Sequence, residues 1–262
     1  MNTWTKVLRY EMRNVLRARA LLGYGLFFLA ATTGLVRMGG GVERVLPSLS
    51  NLILLTVPLV SLVVTTVFLY EGRAFNELLL SQPVGRKELF RGLFMGLTLP
   101  LAGVFVVGTG LPLLASGGFS TAAGPVALTL GSGIALTAVF VALGFLVAFS
   151  VKEAARGLGV ALLVWLGLTV VYDGVVLLAS HNLSAYPLET PMLAAMILNP
   201  VDLARMVSLM AVDASVLMGY TGAVFQDFFG GWTGIVIATA ALAGWVLLPY
   251  LGALRRFGRM DL

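Results

Sequence analysis

The stretch Ser50–Tyr70 reads SNLILLTVPLVSLVVTTVFLY and contains no charged residue. A helix of about 20 apolar residues crosses the ~30 Å hydrocarbon core of a bilayer, so this stretch predicts a transmembrane helix. The chain is 59% hydrophobic and 11% charged, a balance that a soluble domain could not keep from water. We therefore predict an all-α polytopic membrane protein, one domain over residues 1–262. The other five apolar stretches of spanning length cover residues 20–36, 92–115, 125–151, 158–180 and 232–254.

The positive charges lie almost entirely on one side of these spans. Fourteen of the seventeen Lys and Arg residues fall in the N-terminal segment, the links between spans two and three and between spans four and five, and the C-terminal tail. Short loops rich in Lys and Arg stay in the cytoplasm, which predicts that both termini are cytoplasmic. The formal net charge of +5 arises from this topology pattern, so no nucleic-acid partner is predicted. The three exceptions are Arg37, Arg44 and Arg205.

Three segments outside the spans have patterns of their own. Residues 1–19 have apolar and basic residues at helical spacing, which predicts an amphipathic helix lying in the lipid interface. In the link after span two, residues 71–80 predict a short helix that ends before the turn at Pro83. In the outer loop, residues 191–198 and 201–212 are apolar runs too short to span, which predicts re-entrant or interfacial helices.

The second outer-loop helix has a recognisable start. Asn199 is suited to cap it, Pro200 to occupy its first turn, and Asp202 to lie at the positive end of its dipole.

Asp173 is the only acidic residue well inside a predicted span. It lies about 16 residues, or roughly 24 Å, from the inner end of span five, which places it toward the outer leaflet. Ionised groups in a bilayer are costly and usually face the bundle interior or water. Asp173 is therefore predicted to lie in the pathway or the dimer seam, or to be an interfacial carboxylate bonded to a neighbouring hydroxyl or to solvent.

The metal-binding potential of the chain is low. Cysteine is absent, which excludes disulfides and thiolate ligands, and the single histidine, His181, is better placed to cap the outer end of span five. Thioethers suit Cu(I), but methionine is also a common filler of apolar cores, and packing is the favoured interpretation. No metal site is predicted. The outer-loop methionines are Met192, Met196, Met206, Met210 and Met218.

The segment after span two resembles that of the membrane subunits of type-2 ABC exporters. The matching residues are Glu71-Gly72, Leu78-Leu79-Leu80 and Pro83-Val84-Gly85-Arg86, although this chain has Asn76-Glu77 where many members have Gly-Thr. The order of spans, N-terminal helix and outer-loop helices is also similar. The resemblance implies a cytoplasmic coupling helix that contacts the ATPase through Glu71, Gly72, Arg73, Asn76, Glu77, Gln82, Pro83 and Arg86.

Three further segments resemble the permeases of ABC transporters that mature nitrous oxide reductase. They are Val171-Tyr172-Asp173, the run Leu198–Leu203 followed by Arg205, and Lys152–Gly157. The resemblance implies a homodimer in the bacterial cytoplasmic membrane, a cytoplasmic ABC ATPase dimer that binds ATP and magnesium, and a periplasmic copper-handling protein. The residues expected to contact that periplasmic protein are Asn199, Pro200, Asp202 and Arg205.

The chain itself has no Gly-x-x-x-x-Gly-Lys-Ser/Thr run to cradle phosphates, so nucleotide is expected on a separate chain and none on this one. The function thus predicted is a non-catalytic permease subunit that passes a sulfur species or transmits ATP energy to its periplasmic partner. Export of lipid or drug-like cargo is the alternative. A secondary transporter would need ionisable midplane residues, of which only Asp173 comes close. A zinc protease of the His-Glu-x-x-His type would need two histidines.

Overall fold

A computed structural model describes residues 9, 11–13, 15–73, 85–182, 194–210 and 232–259, and most of these residues are helical, with no strand among them. Six helices within these ranges are long and apolar enough to cross a membrane, which confirms the predicted fold class. They are α1 (Arg19–Gly39), α2 (Val42–Glu71), α3 (Arg86–Ala115), α5 (Ala123–Ala148), the joined pair α6 (Ala154–Leu166) and α7 (Tyr172–Asn182), and α9 (Trp232–Gly258). Two shorter helices are α4 (Gly118–Thr121) and α8 (Pro200–Met210).

The second and third spans show the largest differences between the observed start and the start that hydropathy predicts. The helix α2 starts at Val42 and continues through Pro47 and Pro58, and α3 starts at Arg86. Hydropathy marks only the part of a helix that suits hydrocarbon, whereas the backbone remains helical through the polar first turns. Prolines are tolerated within such helices because neighbouring groups satisfy the freed backbone.

The helix α5 lies at the centre of the bundle. It packs against α2, α3, α8 and α9, and 67% of its most apolar stretch is buried. Aromatic rings join α3, α5 and α9 near one end, mostly in edge-to-face geometry with centroids about 5–6 Å apart, which favours a fixed helix arrangement. The rings belong to Phe90, Phe94, Phe145, Phe149, Tyr250 and Phe257.

Polar contacts tie the helix ends together at one end of the bundle. The Tyr70 hydroxyl donates to the Val151 carbonyl at 2.7 Å, and the Arg73 guanidinium donates to the Lys152 carbonyl at 3.0 Å. Arg86, at the start of α3, donates to the carbonyl of Gly258, at the end of α9, at 2.8 Å. We call this the basic end, since it carries Arg73, Arg86, Lys152, Arg156, Arg255 and Arg256.

The N-terminal helix packs on the bundle through an acidic residue. Glu11 and Val15 are buried, whereas Arg9, Arg13 and Arg17 are exposed, so the described part of this segment has a buried face and a basic, exposed face. Leu16, which was expected on the apolar face, is exposed, and the buried face includes Glu11. Glu11 is only 3% exposed and fills the space that Gly96 leaves on α3. Trp4, Val7 and Leu8, which are apolar residues of the same segment, lie outside the described residues.

Replacing Gly157 by alanine should destabilise the basic end. A Cβ atom at Gly157 would lie 1.9 Å from the Tyr70 hydroxyl and 2.5 Å from its ring carbon Cζ, so the ring would have to leave its bond to Val151. We expect a loss of about 1–3 kcal/mol, measured as a lower Tm of the purified protein in detergent. Gly159, on the same helix with nothing within 4 Å, is the matched control. Its alanine variant should be neutral or slightly stabilised, and equal losses at the two positions would contradict the contact.

Candidate functional site

At the end of the bundle opposite the basic end, one guanidinium joins two carboxylates from different helices. Arg205 on α8 contacts Asp173 on α7 at 2.7 Å through Nη2 and Asp202 on its own helix at 2.7 Å through Nη1. Charge-assisted bonds of this kind are about twice as strong as neutral ones. The sequence places Asp173 and the α8 residues in separate roles, whereas the structure makes them one group. We call Tyr172, Asp173, Asn199, Asp202 and Arg205 the polar cluster.

The first turn of α8 positions the residues of the polar cluster that lie at its start. The Asn199 side-chain oxygen accepts the backbone N–H of Val201 at 2.9 Å, which is the N-cap predicted from the sequence. Pro200 follows as the first helical residue, and Asp202 lies in the first turn. Arg205 comes three residues later and therefore lies on the same face as Asp202.

The amide group of Asn199 also reaches the fifth span. Its Nδ2 donates to the Leu168 carbonyl at 2.9 Å, and Leu168 belongs to the π-helix Gly167–Val171 that joins α6 to α7. A π-helix disturbs the regular i→i−4 bonding, and a backbone carbonyl in a membrane needs a partner within the protein. Asn199 is fully buried and supplies that partner.

The segment that carries the cluster is fixed inside the bundle. The helix α8 packs against α2, α5 and α9, and its Ser208 hydroxyl bonds the Ser132 hydroxyl of α5 at 2.7 Å. Just before it, the Trp245 ring N–H of α9 donates to the Ile197 carbonyl at 3.1 Å. The apolar side chains that α8 buries are Val201, Leu203, Ala204, Met206 and Val207.

The charges of the cluster do not cancel. Two carboxylates face one guanidinium, so the group carries a net negative charge when both acids are ionised. Burial raises the pKa of Asp202 to about 6. The Arg205 guanidinium opposes this rise and the charge of Asp173 adds to it. Asp202 therefore holds its proton at higher pH than a solvent-exposed carboxyl group does, which lowers the net negative charge of the cluster.

The residues predicted to contact a periplasmic protein differ in how accessible they are. Asn199 and Pro200 are buried, whereas Asp173 and Arg205 have side chains 31% and 34% exposed. A partner that reaches this end therefore meets Arg205 and Asp173 before Asn199. Asp173 has an ion pair with Arg205, a partner that the sequence interpretation did not name. His181 lies exposed in the last turn of α7.

The predicted coupling residues divide into two groups. Glu71, Gly72, Arg73 and Arg86 lie at the basic end, at the end of α2 or just after it and at the start of α3. Asn76, Glu77, Gln82 and Pro83 lie outside the described residues. Among the methionines, Met196 and Met206 are buried, which suits packing; Met192, Met218 and the side chain of Met210 lie outside the described part.

Sequence reasoning missed two residues that the structure brings forward. Glu11 is the only acidic residue among residues 1–19, and that contrast with its basic surroundings was the available signal. Tyr172 donates its hydroxyl proton to the Ala195 carbonyl at 2.5 Å, and no local pattern indicates that bond across 23 residues.

Comparison with known proteins points to one family. The family model described as "ABC-2 family transporter protein" matches residues 76–262. A protein of Pseudomonas aeruginosa named "Probable ABC transporter permease protein NosY" is 29% identical over 275 residues, covering 97% of this chain and 98% of the relative. A Stutzerimonas stutzeri protein with the same name is 29% identical over 240 residues, covering 82% and 84%.

Proposed function

The chain belongs to the ABC-2 family of transporter proteins, and from this premise we propose that it is the permease of an ATP-driven transporter that supports maturation of the copper site of nitrous oxide reductase. The observation that carries this proposal is the similarity, over nearly the whole chain, to a relative named as the NosY permease. Six apolar helices and the family make it an integral protein of the inner membrane. The charge distribution supports an orientation with both termini in the cytoplasm.

The family implies an ATPase partner and a dimeric assembly. We propose that two copies of this chain each seat one cytoplasmic ATPase, which binds ATP and magnesium, while this chain binds no cofactor and catalyses no reaction. Glu71, Arg73 and Arg86 lie at the basic end, where such an ATPase would contact the permease. The exposed arginines of the N-terminal helix would face anionic lipid headgroups.

At the other end, the polar cluster is the proposed contact for a periplasmic copper-handling protein. Asp173 and Arg205 are partly exposed and charged, which suits an electrostatically guided contact. Arg205 is already bonded to two carboxylates, so the cluster is a poor binding site for an anionic sulfur species. This charge balance favours transmission of ATP energy to the partner over binding of an anion at this point.

Export of lipid or drug-like cargo is the second candidate function. The observation that favours it is the exposed apolar face of the fifth span, where only 11% of the most apolar stretch is buried. A lipid or apolar drug could approach the bundle along that face. Cargo-stimulated ATP hydrolysis with defined lipids would favour this candidate over a role in copper-site maturation.

The first experiment on partners is a mild affinity purification of the tagged chain from its native membrane, followed by mass spectrometry. We expect a cytoplasmic ABC ATPase together with a periplasmic copper-binding protein. An ATPase without that periplasmic protein would leave the permease function and its cargo open. Purification without any ATPase, in detergent that preserves known ABC complexes, would contradict the proposal and favour a secondary transporter.

Reversing the charge at Glu71 and Glu77 together should weaken the contact with the ATPase. We expect the Glu71→Lys/Glu77→Lys variant to fold and to lose most co-purifying ATPase and most ATP hydrolysis, because close like charges at an interface cost several kcal/mol. The control is Glu153→Lys, an exposed residue at the same end whose ion pair with Arg156 is worth little. Full ATPase binding and hydrolysis by the Glu71/Glu77 variant would show that this segment is not the coupling helix.

A further inference from the structure

The outer half of the fifth span is poorly packed against the rest of the bundle. The helix α7 buries none of its side chains, and Val175, Leu177 and Leu178 are exposed. The preceding half, α6, packs against α2 and buries Gly157 and Ala161. Within one chain, apolar packing therefore holds the inner half of this span and contributes little to holding the outer half.

Polar contacts take the place of that packing. The π-helix and α7 are bonded to residues 195–205 at three points: the Leu168 carbonyl to Asn199, the Tyr172 hydroxyl to Ala195, and the Asp173 carboxylate to Arg205. All three partners lie in the segment that Trp245, Ser132 and the buried face of α8 fix to the bundle. These three polar contacts therefore connect the outer half of the span to a segment that is fixed in the bundle.

A point of bending lies where the two halves join. The π-helix Gly167–Val171 begins with a glycine that has nothing within 4 Å of its missing side chain. π-helical turns weaken the regular ladder of backbone bonds and are common where helices bend. In this position, a bend would swing α7 and leave α6 against α2.

We propose that α7 is a hinged arm that swings about the π-helix Gly167–Val171, and that the three contacts to residues 195–205 are the catch that holds it closed. In the closed state the arm covers part of Asp202 and Arg205. When the catch releases, the arm moves away from α8 and leaves both charged groups more exposed at this end of the bundle. This inference concerns the chain alone and does not depend on the identity of its partner or cargo.

Distance measurements between two spin labels test the arm directly. The natural chain has no cysteine, so cysteines introduced at Leu114, at the end of α3, and at Leu178, on α7, provide two exposed labelling sites. The full-length protein is placed in lipid nanodiscs and diluted with unlabelled copies, so that each assembly carries one labelled chain. Double electron–electron resonance then reports the distribution of distances between α3 and α7.

The catch is opened by the variant Tyr172→Phe/Asp173→Leu, which removes both hydrogen-bonding groups and leaves side chains of similar size. Each lost bond should raise the ratio of open to closed arm about five- to tenfold, so a second, longer distance is expected beside the closed one. A control pair at Leu114 and Val160 reports on α6 and should keep one distance. A control variant, Ser208→Ala, removes a bond of α8 to α5 without touching the arm and should leave the Leu114–Leu178 distances unchanged.

Two results would overturn the proposal. The first is an unchanged Leu114–Leu178 distribution in the catch variant, which would mean that other forces hold α7. The second is equal broadening at the Leu114–Val160 pair, which would indicate general loosening in place of a hinge. If the double variant does not elute as a single species, Asp173→Leu alone is measured against the same controls and the same outcomes apply.

Discussion

Replacing Gly108 by valine is expected to separate α1 from α3 and to destabilise the whole bundle. A Cβ atom at this position would lie 2.8 Å from the Gly25 carbonyl oxygen and 3.1 Å from Phe28 Cβ. The nearest of these atoms is backbone, which cannot rotate out of the way as a side chain could. The two helices must therefore move apart, and they lose the close approach that small residues allow in a membrane.

The expected loss is about 3 kcal/mol or more, at the upper end for overpacked sites, because a whole helix pair has to shift. In a protein of this size that corresponds to a fall in Tm of roughly 5–10 °C, measured by thermal unfolding of the detergent-purified protein. Gly103 on the same helix is the matched control, since nothing lies within 4 Å of its missing side chain. A Gly103→Val variant that lost as much stability as Gly108→Val would show that helix propensity, not the contact with α1, sets the effect.

Replacing Glu11 by glutamine should remove one of two contributions, of similar size, by which buried carboxyl groups make stability depend on pH. Burial raises the pKa of Glu11 from 4.5 to about 7, because the ionised carboxylate loses its hydration beside Gly96. The folded protein therefore binds this proton more tightly than the unfolded chain does. Its stabilising effect is complete below about pH 4.5 and is lost as the pH rises through about 7, a difference of at most about 3 kcal/mol.

The measurement is the Tm of parent and variant at pH 5 and pH 8. We expect a small Tm difference at pH 5 and a much higher Tm for Glu11→Gln than for the parent at pH 8, since the amide needs no proton to remain neutral. The raised pKa of Asp202, about 6, also makes stability fall as the pH rises. The Tm difference between variant and parent at each pH therefore isolates the effect of Glu11. The control is Glu88→Gln, an exposed residue in the first turn of α3. A Glu11→Gln variant with the same Tm as the parent at both pH values would contradict the raised pKa of Glu11.

The number of spans could be predicted from the sequence because the signal is local. Each membrane helix satisfies its own backbone hydrogen bonds, so length and apolar composition are sufficient to identify it. The cap at Asn199 was equally predictable, since Asn, Pro and Asp act there on the first turn of their own helix. The true starts of α2 and α3 were missed because hydropathy does not report helical turns beyond the hydrocarbon.

The sequence by itself therefore determined six spans and the start of α8, and it supported an orientation through the distribution of its basic residues. Only the tertiary structure decided that Asp173 pairs with Arg205 across 32 residues, that Glu11 packs against Gly96, and that Asn199 satisfies a carbonyl of the π-helix. The physical reason is that lipid is as apolar as the helix surfaces, so hydropathy shows which segments enter the membrane and not which faces meet. Those faces are chosen by shape at small residues and by the need of buried polar groups for partners.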